Sequence, residues 1–403
     1  MLKKFFIIGA SLFVLLIITA LLVSRLGYGG IKFSNGTYLG YSSNLQQWYF
    51  AEYRNMPVGI DGPYVNRQGD HYLVQYVESD ADNNNVVINE TSSGRVRVRV
   101  DNDDKTEFFV NIQPTHSRSK LVFEQPEKLL ALSDIEGNFE AFTKLLIANN
   151  VIDRQFNWIY GRAHLILLGD MVDRGQNVLP VLWLIYKLEA EARAVGGDVH
   201  FVLGNHERYL IDGRMKSAQR KYEGTYSALN TNGEELYSDA TEIGRWIRSK
   251  PVVVKIGETL FMHAGISPSV LALRPSIETI DTEATENISI GNSIMRNHPD
   301  SLLHGAAGIL FYRGFADDMS QHSLGPKASE EHVDAVLAHF DVNKIAIGHT
   351  LVPTISYDYN QKILRVDVPH SRGVSEALLY DSGDWFKADD LGNIEKIKQI
   401  APQ

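Results

Sequence analysis

The stretch "LLALSDIEGNFEAF", residues 129–142, decides how this chain is read. An apolar run ends in Ser133-Asp134, a Gly137-Asn138 turn follows, and a helical pattern starts at Phe139. That order predicts a strand, a turn and a helix, with a carboxylate at the strand tip. The same order recurs. "AHLILLGD" (163–170) precedes the amphipathic "VLPVLWLIYKLEAEARAV" (178–195), and "DVHFVLGNHE" (198–207) follows. Strands alternating with helices imply an α/β fold with right-handed crossovers and helices covering a parallel sheet. Further strands are expected in "PVVVKI" (251–256), "TLFMHAG" (259–265), "KIAIGHT" (344–350) and "KILRVDV" (362–368). Ligands in α/β sheets sit at the carboxyl ends of strands, so one shared site is expected there.

Five polar clusters follow apolar strands: Asp134-Ile-Glu136-Gly-Asn, Gly169-Asp170-Met-Val-Asp173-Arg174-Gly175, Gly204-Asn205-His206-Glu207, His263-Ala-Gly and Gly348-His349-Thr350. A single histidine after a strand is more often structural than a ligand. Five clusters together supply carboxylates, an amide oxygen and imidazoles, the donor set of an oxygen/nitrogen metal site.

The set "GDMVDRG", "GNHE", "HAG" and "GHT" resembles the binuclear metallophosphoesterases. It is most similar to the calcineurin-like phosphoprotein phosphatase branch and its bacterial, Shewanella-like relatives. The resemblance covers about residues 127–370 and nothing upstream. It implies a metallophosphoesterase sandwich, with a βαβαβ core and central sheets flanked by helices. It also implies two divalent ions, which in two-metal hydrolases lie about 3.5–4 Å apart. On the matching positions, Asp134 would bind the first metal, Asp170 would bridge both, and Asn205, His263 and His349 would hold the second. Hydroxide bridging the two ions would attack phosphorus in line. His206 would protonate the leaving oxygen as general acid, and Asp173 would favour its charged form. Arg174 offers phosphate a planar fork, and Arg313, in "LFYRGF", resembles the YRG segment of the bacterial relatives. Arg208, His304, His322 and His339 are read as structural or surface residues.

Where the family has D-x-H-G, this chain has Glu136 in the histidine position. Three readings follow. Glu136 ligates the first metal through oxygen, and three carboxylates then favour Mn²⁺, Mg²⁺ or iron over Zn²⁺. Alternatively it is one atom too long and the first metal binds weakly, or the site has decayed into a phosphate-binding module. Every other expected position is filled, which favours the first reading and Mn²⁺. The expected substrates are phosphoserine, phosphothreonine or phosphotyrosine in proteins, or small phosphomonoesters. "HAGISP" also resembles a segment of diadenosine tetraphosphate hydrolases, but those carry GNHD where this chain has GNHE.

The chain has 403 residues, a formal charge of −10 and no cysteine. The acidic balance argues against a nucleic-acid partner, and the missing thiols exclude disulfides, cysteine nucleophiles and cysteine-ligated zinc. Residues Phe5 to Val23 carry no charge and are long enough to cross a bilayer. Lys3 and Lys4 precede that stretch and Arg25 follows it, so an uncleaved single-pass anchor is expected with the remainder outside the cytoplasm. The expected order is an anchor (1–25), a linker (26–36), a small β-rich region (37–125) and the catalytic domain (126–403). "RVRVRV" in the β-rich region reads as a strand with one solvated face, and 274–290 as an acidic, solvated connection over the site.

Overall fold

The computed structural model describes residues 56–399, apart from 119, 215–216, 288–301, 304, 318 and 321–324, together with Ile18 and three short strands before residue 56. Apart from Ile18, the anchor expected at 5–23 lies outside the described residues. Among the described residues no helix is long and apolar enough to cross a membrane. Ile31–Lys32, inside the segment read as a linker, pairs antiparallel with Thr37–Ser42.

The β-rich region is a three-stranded antiparallel sheet, β1 (Ile60–Gln68), β2 (His71–Ser79) and β3 (Asn85–Ser92), followed by a hairpin of β4 (Arg95–Arg99) and β5 (Glu107–Asn111). In β4 the period of two puts Val96 and Val98 in the core, and Arg97 turns outward to Glu90 at 3.2 Å. This is the solvated face that its alternation predicts. Tyr76, Val98 and Phe108 belong to the same continuous core as Leu130, Leu165 and Trp183. The Trp183 indole N–H donates to the Pro63 carbonyl at 3.0 Å. The region is therefore bound into the catalytic fold through shared apolar burial, the dominant favourable term in folding.

Two mixed sheets form the sandwich. The first has the order β9 (Asp198–Phe201), β8 (His164–Leu167), β7 (Lys128–Leu132), then Glu376–Asp381, Asp384–Asp389 and Ile394–Lys396. The second contains β6 (Val122–Phe123), β10 (Val253–Ile256), β11 (Thr259–Met262), β12 (Lys344–Ile347) and β13 (Ile363–Arg365) as neighbours, with β12 and β13 adjacent. Alternation sorts the side chains between layers. Leu129 and Ala131 of β7 meet Phe261, Ala346 and Leu364 between the sheets, and Leu130 and Leu132 face the helices. Those helices include α1 (Phe139–Ala148), capped by Asn138, and α2 (Val178–Ala194), which is buried almost all round.

The second sheet reaches upstream of the expected boundary at residue 126, because β6 pairs in parallel with β10. The segment read as a solvated connection is also different. It folds into a helix over Ile277–Asn287 that buries Ile280 and Ala284, and Arg118 grips Asp281 on that helix. Its apolar residues at helical spacing outweigh its acidic composition.

Candidate metal centre and active site

Parallel register sets the site. Leu132 is level with Leu167, and Leu167 with Phe201, so the loops after β7, β8 and β9 leave the sheet side by side. The first two zip together through the backbone: Asp134 N–H donates to Gly169 O at 3.1 Å, Glu136 N–H to Asp170 O at 2.9 Å, and Gly137 N–H to Met171 O at 2.9 Å. In the second sheet Met262 is level with Ile347, which brings His263 and His349 to the same edge. Asp134, Glu136, Asp170, Asp173, Arg174 and His349 all have positive φ. Non-glycine residues rarely adopt that conformation, and its concentration here is the strain expected of a functional site. A Cβ on Gly204 would collide with the Asp170 carboxylate, and one on Gly348 with the Ser133 hydroxyl.

Asp170, His263 and His349 offer ligand atoms that all lie within 4.8 Å of one another. His263 Nε2 is 3.2 Å from Asp170 Oδ2, 3.0 Å from Asn205 Oδ1 and 3.0 Å from His349 Nδ1. The outer ring nitrogens are occupied: His263 Nδ1 faces Leu168 O at 2.7 Å and His349 Nε2 faces Phe311 O at 3.3 Å. N–H donation to those carbonyls leaves the inner nitrogens with lone pairs. Two imidazole lone pairs, an amide oxygen and a carboxylate then converge on one point, an arrangement that a divalent cation satisfies. The field at that point favours positive charge, carried by a proton on His263 or by a cation that replaces it. Burial lowers the tendency of His263 to charge, yet Asp170 and Asp134 lift it to about 10. Burial and the neighbouring charges of His263 and Arg313 hold His349 well below its ordinary value.

Asp134 sits beside this cluster and accepts from His349 N–H at 3.1 Å and from the Ser133 hydroxyl. Burial, followed by the Asp170 charge, raises its carboxyl to about 6. Glu136 does not join the cluster. It turns aside and is ion-paired with Arg174. His206 Nδ1 is 2.7 Å from Asp173 Oδ2, and its Nε2 is 3.7 Å from Asp170 Oδ2. Burial opposes a charge on His206, but Asp170 and Asp173 outweigh it and the pKa rises. Arg313 is anchored on the His349 carbonyl and on Thr350 Oγ1, at 3.0 Å from the latter. Arg208 is structural, as expected, buried and 3.4 Å from Asp212. His339 likewise bonds Pro275 O at 2.8 Å, and His304 and His322 lie outside the described residues.

A cavity of about 1030 Å³ opens over these groups, lined by Asp134, Glu136, Asp170, Arg174, His206 and Arg313. Val100, Asp101 and Asn102 of the β-rich region form part of its wall. Two residues received no role of their own from the sequence. Glu207 is fully buried, and its carboxylate accepts from the N–H groups of Asp170 (2.8 Å), Met171 (2.8 Å) and Gly204 (2.7 Å). It ties the β8 loop to the β9 loop, and its signals were its place at the end of GNHE and at the N3 position of a helix. Asp367 lines the same cavity, and its signal was a carboxylate past another strand end.

A cluster that could hold divalent cations, next to two arginines and a carboxylate-bound histidine, suits hydrolysis of phosphoric esters, and the chain is an enzyme of that class. Residues 127–353 match the calcineurin-like phosphoesterase model, and the chain belongs to that family. It is 24% identical over 299 residues to Shewanella-like protein phosphatase 2 of Arabidopsis thaliana, covering 64% of this chain and 74% of that one. It is 28% identical over 138 residues to a symmetrical bis(5'-nucleosyl)-tetraphosphatase of Neisseria gonorrhoeae, covering 34% of this chain and 43% of that one. Its fold superposes on the crystal structure of a cold-active protein-tyrosine phosphatase of a psychrophilic Shewanella species with a TM-score of 0.75 and 27% identity. That match covers 84% of this chain and 99% of the other, more than residues 126–403 alone supply. The likeness therefore extends upstream into the β-rich strands, where the sequence motifs stop.

Proposed function

We propose that the chain is a manganese-dependent phosphomonoesterase acting on phosphoserine, phosphothreonine or phosphotyrosine in proteins. The observation that carries this reading is the convergence of Asp170, Asn205, His263 and His349 on one point, beside the His206–Asp173 pair and Arg313. When bound, divalent ions supply an activated water and neutralise charge on the phosphoryl group. Asp170 Oδ2, His263 Nε2, His349 Nδ1 and Asn205 Oδ1 are the groups that would hold one ion, with Asp134 beside them. Arg313 is preset to bind phosphate oxygens, because its guanidinium is already fixed by Thr350 and His349. His206 keeps its proton through Asp173 and carries it at the cavity wall, where it can be given to the leaving oxygen. With Asp134 beside them the donors are three oxygens to two imidazole nitrogens, and that oxygen majority suits manganese.

The substrate class is supported by the Shewanella-like relatives, named as protein and protein-tyrosine phosphatases. The shorter likeness to a dinucleoside tetraphosphatase makes that compound the comparison substrate. Purified chain with Mn²⁺ should release phosphate from phosphopeptides; cleavage of diadenosine tetraphosphate with no phosphopeptide turnover would overturn the reading. We propose also that Phe5 to Val23 anchors the enzyme in a membrane with the catalytic domain on the outer side, on the strength of its apolar length and the lysines before it. Protease accessibility in intact cells tests that orientation.

A further inference from the structure

We propose that Asp367 is a protein ligand of the first metal, in the role that Glu136 leaves open by pairing with Arg174. The inference rests on the two-metal reading above.

Register brings Asp367 to the site. Strands β11, β12 and β13 run parallel as neighbours, and Ile347 is level with Arg365. Two residues further along each strand lie His349 and Asp367, so Asp367 stands at the level of a metal-site histidine, one strand over. Three adjacent strands therefore end in His263, His349 and Asp367. The backbone there is held by Val366 N–H to Ile347 O and Val352 N–H to Asp367 O, each at 2.8 Å.

The environment of the carboxylate is the second argument. Asp367 is only 5% exposed, and it lines the cavity together with Asp134 and Asp170. Among the described residues no hydrogen bond or ion pair engages its carboxylate, unlike every other buried acid of the site. Asp134 has the His349 N–H, Asp170 the His206 N–H, Asp173 the His206 ring and Glu207 three backbone N–H groups. The Arg313 guanidinium is already bound to the His349 carbonyl and the Thr350 hydroxyl. Ionising a buried carboxylate that shares a cavity with Asp134 and Asp170 is costly without a counter-charge, and a divalent cation bound by it would remove that cost. Glu136 is meanwhile committed to Arg174. The donor set remains all carboxylate, which keeps the preference for a hard ion.

The test is manganese stoichiometry of the full chain, stripped with a chelator and titrated with MnCl₂ by calorimetry. Wild type should bind two equivalents, Asp367→Asn one (or the second at least tenfold more weakly), and Glu136→Gln two. Two equivalents of unchanged affinity in Asp367→Asn, or loss of one in Glu136→Gln, would overturn the inference. Fewer than two in wild type would instead overturn the two-metal reading on which it rests. Asp367→Glu keeps the charge, so it guards against a misfolded Asn variant. It should retain two ions with an altered dinuclear manganese resonance spectrum, and an unchanged spectrum counts against ligation.

Discussion

The Arg174 guanidinium is ion-paired with Glu136, two residues beyond Asp134. The residue expected to coordinate a metal neutralises a residue expected to bind phosphate. Both line the cavity, and Arg174 remains more than half exposed, so the pair is one that an incoming phosphate can displace. Removing the carboxylate in Glu136→Gln should tighten binding of inorganic phosphate, read as a roughly threefold lower inhibition constant, in keeping with the small value of exposed ion pairs. Weaker phosphate binding would show that Glu136 serves the site in another way.

The His206–Asp173 contact leads to a pH effect with a definite sign. Asp170 and Asp173 raise the pKa of His206 against burial, and a general acid works only while protonated. Replacing Asp173 with Asn lowers that pKa, so the high-pH limb of kcat should move to lower pH. His206→Ala should reduce kcat by roughly 10²–10⁴ with bound manganese unchanged. The loss should be larger for an alkyl phosphate than for p-nitrophenyl phosphate, whose leaving group needs no proton. Equal losses on the two substrates would remove His206 from the proton-transfer step.

Glu207 lies behind the metal ligands rather than among them. Its carboxylate receives three backbone N–H groups, two of them from Asp170 and Met171. In Glu207→Gln the amide presents N–H₂ to at least one of these donors. That should cost about 1–3 kcal/mol of stability, the penalty for an unsatisfied buried donor. The Asp170 loop loosens with it, so manganese affinity should fall together with the melting temperature. A variant with wild-type stability and affinity would show that the clamp is dispensable.

Away from the site, Lys250 and Glu189 form a buried ion pair at 2.7 Å, with the Trp246 indole N–H donating to the same carboxylate at 2.7 Å. Lys250→Met leaves that buried charge short of its main partner and should cost about 3 kcal/mol in chemical denaturation. Burial raises the Glu189 pKa, but Lys250 and Arg193 outweigh it and hold it below the ordinary value. The stabilisation is then present above the unfolded carboxylate pKa and lost as pH falls through the folded one. The gap between wild type and variant should narrow below about pH 4. The double variant with Glu189→Leu should recover only part of the loss, because Trp246 then loses its acceptor.

Local pattern alone specified the strands at 128–132, 164–167 and 198–201, the helices between them, and the polar clusters at their ends. These signals are encoded within short windows, as hydrophobic period and as turn chemistry. The family was legible for the same reason, since "GDMVDRG" and "GNHE" are contiguous. Three things depended on contacts between distant segments. The β-rich strands carry no motif, and burial of Tyr76, Val98 and Phe108 against the catalytic core shows that they belong to it. The helix at 277–287 is polar in composition, and its packing decided its state. The direction of Glu136 could not be read from its position two residues past Asp134. That direction follows from Arg174, 38 residues away, and the placement of Asp367 level with His349 follows from strand register, which no local window contains.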